Sequence, residues 1–260
     1  MDNLTIVKNL KKITPTIIKN IIKNIIKNIH RSILYLFFSI SFLKKRDIIS
    51  DRRFSCIWKD RFPCLFDRTQ TTEFEPHYIY HIAWAIREIN KINPQQHIDF
   101  SSSLYFIVTL SASIPTIFYD YRPADIHISN LYCKKAELCN IPLPNNSVES
   151  LSCLHVLEHV GLERYGDPFA PQGDIQAINE LKRILKQDGH LLVAVPMGEI
   201  PRIQYNAHRI YSYSLFLSYF RELKLEKFSF INDKKEFIEF ATEEDTVGQA
   251  WGCGCFLFRK

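Results

Sequence analysis

From residue 76 onward, stretches with helical periodicity alternate with short apolar stretches that are typical of strands. This alternation constrains the fold most, because strands separated by helices join into a mainly parallel sheet covered on both faces. Residues 77–92 carry apolar side chains at three- and four-residue intervals, which predicts a helix that Pro94 ends. Residues 174–187 predict a second amphipathic helix, ended by Asp188 and a glycine. We therefore expect one α/β domain over residues 76–260.

The strands of this domain are predicted from short apolar runs. They are residues 97–101, 116–120, 130–137, 148–155 and 190–196, with a last strand within 249–260. Residues 104–112 predict a helix packed between the first two strands. The Cys-Gly-Cys of the last strand indicates close backbone packing.

Acids stand at the ends of the first two strands. Asp99 lies in the first, and Asp120 ends the second 21 residues later. In α/β folds an acid at that distance accepts hydrogen bonds from ribose hydroxyls at the carboxyl edge of the sheet. A solvated loop acid accounts for the position equally well, so both interpretations stay open here.

The basic residues of the chain concentrate before the domain. Residues 1–50 hold ten Lys and Arg against two Asp, a net charge of +8, whereas residues 51–260 sum to −3. The domain therefore has no basic surface of the kind that binds nucleic acid, and we expect no nucleic-acid partner. The seven cysteines form no C-x-x-C pair, which indicates reduced thiols in a cytoplasmic protein.

The basic segment, residues 1–46, is predicted as an apolar helical leader, followed by a connector over residues 47–75. Its apolar run, residues 33–43, is too short to span a membrane, which takes about 20 apolar residues. The segment before that run is too long for a signal peptide, and no small-residue cleavage site follows the run. Two alternatives remain. The leader lies on an anionic membrane surface, making the protein peripheral there, or it is a biased segment that packs on the domain or is partly disordered.

Several motifs resemble a known superfamily. IPLPNNSVESLSCLHVLEHV (141–160) followed by ELKRILKQDGHLLVAVP (180–196) resembles the fourth and fifth strand regions of class I S-adenosylmethionine methyltransferases. HVLEHVGLERYGDP (155–168), YDYRP (119–123) and NAHRIY (206–211) resemble an uncharacterised domain family with a methyltransferase-like fold. The resemblance implies a Rossmann-like sheet with helices on both faces. It also implies S-adenosylmethionine as the cofactor, bound at the carboxyl ends of the first four strands.

The resemblance assigns roles to six residues of the cofactor site. Asp120 would hold the ribose, Glu137 would contact the adenine amino group, and Leu138 would be its apolar neighbour. Asp99 would open the loop that the superfamily writes D-x-G-x-G, with Ser101 and Ser103 in place of its glycines. A side chain there costs of order 1 kcal/mol in strain and obstructs close approach of the cofactor. An alternative therefore stays open, in which the protein is a binding or scaffold module at a membrane.

Four residues are candidates for the chemistry at the acceptor. His155, Glu158 and His159 resemble the E-x-x-E-H layout of some O-methyltransferases, which hold a divalent metal, and His208 would be the fourth ligand. Three interpretations compete: the four bind a metal that activates a hydroxyl, a histidine alone acts as general base, or the residues fix the loop. A set of histidines and a carboxylate suits Zn²⁺, Mn²⁺ or iron better than Mg²⁺.

The loop that follows is predicted to contact the substrate through Arg164, Tyr165 and Asp167, with Arg209 as a further cation. The sequence therefore favours an enzyme that transfers a methyl group to a hydroxyl or similar nucleophile of a small polar acceptor, such as a saccharide.

Overall fold

The structure of the protein is a computed structural model that describes residues 3–50 and 53–260. The chain divides into two compact units, Met1–Glu73 and Phe74–Lys260. Residues 1 and 2 of the predicted leader lie outside the described residues.

The first unit is built on one long helix, α1 (Asn3–Ile49), which continues past residue 46 where the leader was predicted to end. Its four-residue repeat leaves isoleucines such as Ile18, Ile22 and Ile26 about half exposed. No helix in the described part of the chain is long and apolar enough to cross a membrane.

Residues after α1 pack back on it within this unit. The Phe42 and Trp58 rings lie 5.0 Å apart. The Arg61 guanidinium lies 4.5 Å from the Trp58 ring and donates a hydrogen bond to the Tyr35 hydroxyl at 3.2 Å. The predicted connector therefore has defined contacts with the helix.

The second unit is an α/β domain. Its helices are α2 (Pro76–Ile92), α3 (Leu104–Ser111), α4 (Gly173–Ile184) and α5 (Tyr213–Ser218). Its strands are β1 (His97–Phe100), β2 (Thr116–Asp120), β3 (Leu131–Lys135), β4 (Val148–Leu154), β5 (Leu185–Met197), β6 (Arg202–Gln204), β7 (His208–Ile210), β8 (Lys224–Ile231), β9 (Phe237–Ile238) and β10 (Gly252–Arg259).

Eight of the strands form one mixed sheet in the order β3-β2-β1-β4-β5-β10-β8-β9. The first five pair in parallel, and β10 runs antiparallel between β5 and β8. Strands β6 and β7 form a separate hairpin. The order reverses at β1 and β4, and ligands of open α/β sheets bind at the carboxyl ends of the strands near such a point.

Each face of the sheet carries its own apolar core. Trp84 and Ile89 of α2 and Phe106 of α3 belong to one core cluster. Ile178 of α4 and Phe216 of α5 belong to the other. The predicted Rossmann-like sheet with helices on both faces is thereby confirmed.

The element boundaries differ from prediction where tertiary pairing overrides helical periodicity. The second predicted helix, 174–187, ends at Ile184, because Leu185 already pairs with Val148 of β4. The close packing predicted for the last strand is present. A Cβ on Gly254 would lie 2.0 Å from the Met197 sulfur, so any larger residue there would require the Met197 side chain to move.

Candidate functional site

A cavity of about 460 Å³ opens at the carboxyl ends of β1, β2, β3 and β4. Its lining residues are Ser101, Asp120, Tyr121, Arg122, Ala136, Glu137, Leu138, Cys139, His155, Val156, His159, Val160, Gly161, Tyr165, Asp167, Pro168, Ala170 and Gln176. This volume lies within the roughly 300–1,000 Å³ typical of small-molecule sites.

Three residues predicted for cofactor binding lie together in this cavity. Asp120 ends β2, and its Oδ1 accepts the Arg122 backbone N–H at 2.6 Å, which fixes the carboxylate at the strand end. Glu137 and Leu138 follow β3, the neighbouring strand, and line the cavity beside Asp120. Parallel strands end at the same edge of the sheet, which brings residues far apart in sequence into one pocket.

The loop after β1 takes the backbone conformation that a glycine would supply. Ser101 has φ 57°, in the left-handed region, and lines the cavity. Ser103 lies outside the lining and caps α3, where its Oγ accepts the Phe106 N–H at 3.3 Å. Of the two serines predicted to face the cofactor, the structure thus brings Ser101 but not Ser103 to the cavity lining.

Asp99 is also outside the cavity lining, so its predicted role in the cofactor site stays a prediction. Its carboxylate is fully buried and accepts hydrogen bonds from the Ser102 N–H at 3.0 Å, the Ser102 hydroxyl at 2.6 Å and the Ser152 hydroxyl. Burial raises its pKa from 3.8 to about 7. These hydrogen bonds to Asp99 therefore fix the backbone of the loop after β1.

His97 belongs to the same buried network. Its ring nitrogens lie 2.8 Å from the hydroxyls of Ser150 and Ser152 on the neighbouring strand β4. Burial lowers the pKa of His97 from 6.5 to about 3, so the ring is neutral at physiological pH. The network joins β1 to β4 directly under the cavity.

His155 lies where β4 ends, with φ 58°, and lines the cavity. Its Nδ1 lies 2.9 Å from Glu158 Oε1, and its Nε2 lies 3.1 Å from the Cys253 sulfur. Both ring nitrogens are therefore engaged, which leaves His155 without a free lone pair for an acceptor's proton. Glu158 is 1% exposed, and its Oε2 has no hydrogen-bond partner among the described residues.

His159 has the geometry of a general base. Its ring lines the cavity, and its Nδ1 lies 2.8 Å from the Ala207 carbonyl oxygen and 3.2 Å from the Arg164 guanidinium. The carbonyl contact is the shorter one and a carbonyl oxygen can only accept, which favours Nδ1 as the donor. Its Nε2 lies 3.7 Å from Glu158 Oε1, so a proton arriving there would face a carboxylate. Burial lowers the pKa of His159 below 6.5, which keeps the ring neutral and able to accept a proton at pH 7.

The predicted metal set of His155, Glu158, His159 and His208 is not assembled. No candidate metal group in the described part of the chain includes Glu158, His159 or His208. Glu158 Oε1 lies near both His155 Nδ1 and His159 Nε2, at 2.9 and 3.7 Å, but His208 Nε2 accepts a hydrogen bond from the Trp251 indole at 3.3 Å.

The loop of residues 162–168 brings two of its predicted substrate residues to the cavity. Tyr165 and Asp167 line it. Asp167 also accepts the Gly161 N–H at 2.8 Å, which fixes the loop. Arg164 lies outside the lining, donates to the Ala207 carbonyl at 3.1 Å and has its guanidinium 5.1 Å from the Tyr165 ring.

Arg209 does not face the cavity, which corrects its predicted role as a substrate cation. The residue is 7% exposed, and its guanidinium donates to the carbonyls of Val160 at 2.8 Å and Pro171 at 3.0 Å. Its Nε lies 3.5 Å from Asp174 Oδ2. Arg209 therefore clamps both ends of the loop that forms one wall of the cavity.

Some cavity residues were missed by sequence reasoning. Arg122 lines the cavity and has its guanidinium 5.3 Å from the Tyr165 ring. Its place two residues after the strand-end acid Asp120 was the available signal. Gln176 of α4 and Cys139 after β3 also line the cavity, but nothing in their local sequence distinguishes them.

Comparisons with known proteins agree with this architecture. Residues 144–243 match the family model described as "Caenorhabditis protein of unknown function, DUF268". No curated protein matches the sequence of the chain.

Two solved structures have a similar fold. A candidate sarcosine dimethylglycine methyltransferase from Galdieria sulphuraria is 15% identical, with a TM-score of 0.51 over 73% of this chain and 91% of its own. The N-methyltransferase NodS from Bradyrhizobium japonicum WM9, in complex with S-adenosyl-L-homocysteine, is 11% identical, with a TM-score of 0.50 over 72% of this chain and 89% of its own. The chain thus has the class I methyltransferase-like fold, and its residues 144–243 match an uncharacterised domain family, as its motifs predict.

Proposed function

We propose that the protein transfers a methyl group from S-adenosylmethionine to a hydroxyl or similar nucleophile of a small polar acceptor. The observation that carries the proposal is the cavity at the carboxyl ends of β1 to β4, which has Asp120 and Glu137 on its wall. It lies at the point where strand order reverses, the usual ligand position of open α/β sheets.

The residues present fit this cofactor. Asp120 would accept hydrogen bonds from the ribose hydroxyls and Glu137 one from the adenine amino group, with Leu138 as an apolar neighbour; all three line the cavity. Ser101 holds the left-handed backbone that opens the loop after β1, although it carries a side chain. The cofactor, when bound, supplies an electrophilic methyl group on a sulfonium. The open cavity argues against the scaffold alternative, in which Phe100 or the serines would fill this space.

We assign His159 as the residue that takes the acceptor's proton. Its Nδ1–H is held by the Ala207 carbonyl, which leaves Nε2 with a lone pair. Glu158, 3.7 Å from that nitrogen, stabilises the imidazolium once the proton arrives. Methyl transfer needs an aligned acceptor and a destination for its proton, and His159 supplies the second.

The acceptor side of the cavity is polar and aromatic. Tyr165 is 44% exposed, with the guanidiniums of Arg122 and Arg164 within 5.3 Å of its ring. An aromatic face between two cations suits an electron-rich acceptor that has hydroxyl groups, such as a saccharide. Monosaccharides are therefore the first acceptors to test.

Titration calorimetry of the full chain with S-adenosylmethionine and S-adenosylhomocysteine tests the proposal. We expect micromolar binding that Asp120→Ala weakens at least about tenfold, because a hydrogen bond to a charged group contributes about 1.5–3 kcal/mol. Asp125→Ala is the matched control, since this acid lies in the same loop but is exposed and outside the cavity lining. Absence of binding to folded protein would contradict the proposal.

We further propose that the protein is cytoplasmic and that residues 1–46 attach it to anionic membrane surfaces. Support comes from the net charge of residues 1–50 and from the exposed isoleucines of α1. Co-flotation with vesicles containing phosphatidylserine, but not with neutral vesicles, is expected. Equal flotation with both, or none, would contradict it.

A further inference from the structure

Three side chains that can bind a metal ion converge from distant parts of the domain. His77 is near the start of α2, His155 follows β4, and Cys253 is near the start of β10. One ligand atom from each lies within 4.8 Å of the other two, and these three form the candidate metal group among the described residues. All three belong to the second unit.

We propose that His77, His155 and Cys253 bind a Zn²⁺ ion. One thiolate and two imidazoles are the ligands that Zn²⁺ takes in tetrahedral sites, and three protein ligands leave one coordination position for water or substrate. Mg²⁺ and Ca²⁺ prefer oxygen ligands, which this group does not offer. The site differs from the predicted set of Glu158, His159 and His208 with His155, and it does not depend on methyl transfer.

The orientation of His155 supports this assignment. Glu158 Oε1 lies 2.9 Å from His155 Nδ1, so the carboxylate accepts that N–H and directs the Nε2 lone pair towards Cys253, 3.1 Å away. Metal-binding histidines commonly donate their other N–H to a carboxylate, which fixes the tautomer and raises the basicity of the ligand nitrogen.

Two buried polar atoms near His155 have no hydrogen-bond partner among the described residues. His81, fully buried, donates its Nδ1–H to the His77 carbonyl, and its Nε2 has no partner among the described residues. The His81 ring centroid lies 4.9 Å from that of His155. Glu158 Oε2 is likewise buried without a partner. Buried polar groups are normally hydrogen-bonded, so these two atoms near His155 need a partner such as a water molecule or a water-bearing ion.

Binding has a defined proton balance. The Cys253 side chain is fully buried. On binding, Zn²⁺ replaces the thiol proton: the S–H bond breaks, an S–Zn bond forms and one proton is released to solvent. Because His155 also lines the cavity of about 460 Å³, the ion would lie beside the proposed acceptor site.

The test uses the full chain, stripped of metal and titrated with Zn²⁺ against a chromophoric chelator, and in parallel with Co²⁺. We expect one ion per chain and a near-ultraviolet thiolate-to-Co²⁺ charge-transfer band. Cys253→Ala should abolish the band and weaken Zn²⁺ binding at least about 100-fold. His77→Gln should weaken binding comparably, and Glu158→Gln, which alters only the orienting carboxylate, by about 10–100-fold.

Cys153→Ala is the matched control, because this cysteine is equally buried, lies on β4 in the other core cluster and is outside the group. It should retain the band and the affinity. Circular dichroism reports whether each variant is folded, and the charge-transfer band of the wild-type chain tests thiolate ligation without any variant. No stoichiometric binding to the wild-type chain, or a band that survives in folded Cys253→Ala, would overturn the proposal. The zinc proposal does not depend on whether S-adenosylmethionine binds.

Discussion

Replacing Arg209 by Met separates the structural role of this residue from the substrate role that its sequence position suggests. Methionine preserves much of the apolar length of the side chain but removes the charge and both hydrogen bonds to the loop carbonyls. If Arg209 bound substrate, the variant would be stable and deficient only in acceptor binding. The buried clamp predicts instead that the domain loses stability.

The contacts allow an estimate of the loss. Arg209 donates to two carbonyls at 2.8 and 3.0 Å and pairs with Asp174, whose side chain is 6% exposed. Removing one partner of a buried ion pair typically costs about 3–5 kcal/mol, because the other charge stays buried. Asp174 Oδ2 keeps one donor, the Tyr211 hydroxyl at 2.9 Å. We therefore expect a loss near the lower end, about 3–4 kcal/mol.

Urea denaturation followed by circular dichroism and tryptophan fluorescence measures this free energy of unfolding. Arg202→Met is the matched control. Arg202 also donates to two carbonyls, those of Ile200 and Ala250, but it is exposed, so its change should stay within about 0.5 kcal/mol. Asp174→Asn in the Arg209→Met background should recover part of the loss, because the uncompensated charge is removed. If Arg209→Met lowers the free energy of unfolding by less than about 1 kcal/mol, Arg209 does not stabilise the loop in the way we infer.

Three further predictions concern the loops and the buried network. Gly161→Ala should lower the free energy of unfolding by about 2 kcal/mol or more, since φ is 77° and the added Cβ would meet the Ala170 carbonyl oxygen at 2.0 Å; a urea midpoint unchanged from wild type would contradict this. Ser101→Gly should tighten S-adenosylhomocysteine binding in calorimetry severalfold, by removing a side chain that obstructs close approach of the cofactor; weaker binding would show that the hydroxyl holds the ligand. Asp99 has a folded pKa of about 7, above its ordinary 3.8, so its contribution to stability falls as pH rises between those values. Asp99→Asn should therefore gain roughly 3 kcal/mol relative to wild type from pH 4 to 7 in urea titrations, and a constant difference would exclude the shift.

Much of the fold was predictable because hydrophobic periodicity reports burial directly. The strand predicted at 116–120 has those bounds in the structure, and the helix predicted at 77–92 differs by one residue. The helix predicted at 174–187 was too long, since the pattern of its last residues does not reveal that Leu185 pairs with Val148. Pairing partners distant in sequence decide such boundaries.

Residues of the candidate site were predictable only where a suitable residue type stands at a recognisable place in the sequence, such as a strand end. Asp120 was identified because an acid at a strand end is a local signal. His77 and Cys253 were not, since no local pattern shows that the starts of α2 and β10 meet beside the end of β4. Arg209 was misassigned because an arginine beside His208 looks like a ligand-binding cation, and its burial appears only in the folded domain.

The buried network of β1 also determines how this strand pairs. In β1, Ile98 and Phe100 enter one core, whereas His97 and Asp99 meet Ser150 and Ser152 on the opposite face. A slip of one residue would turn both ionisable side chains into the apolar core and leave them without the hydroxyls. The four-residue strand is too short for apolar contacts alone to select one alignment strongly. The hydrogen bonds of His97 and Asp99 are made in one register only, so they select that register. They thereby also fix how β1 and β4 are aligned at the sheet edge that forms the cavity.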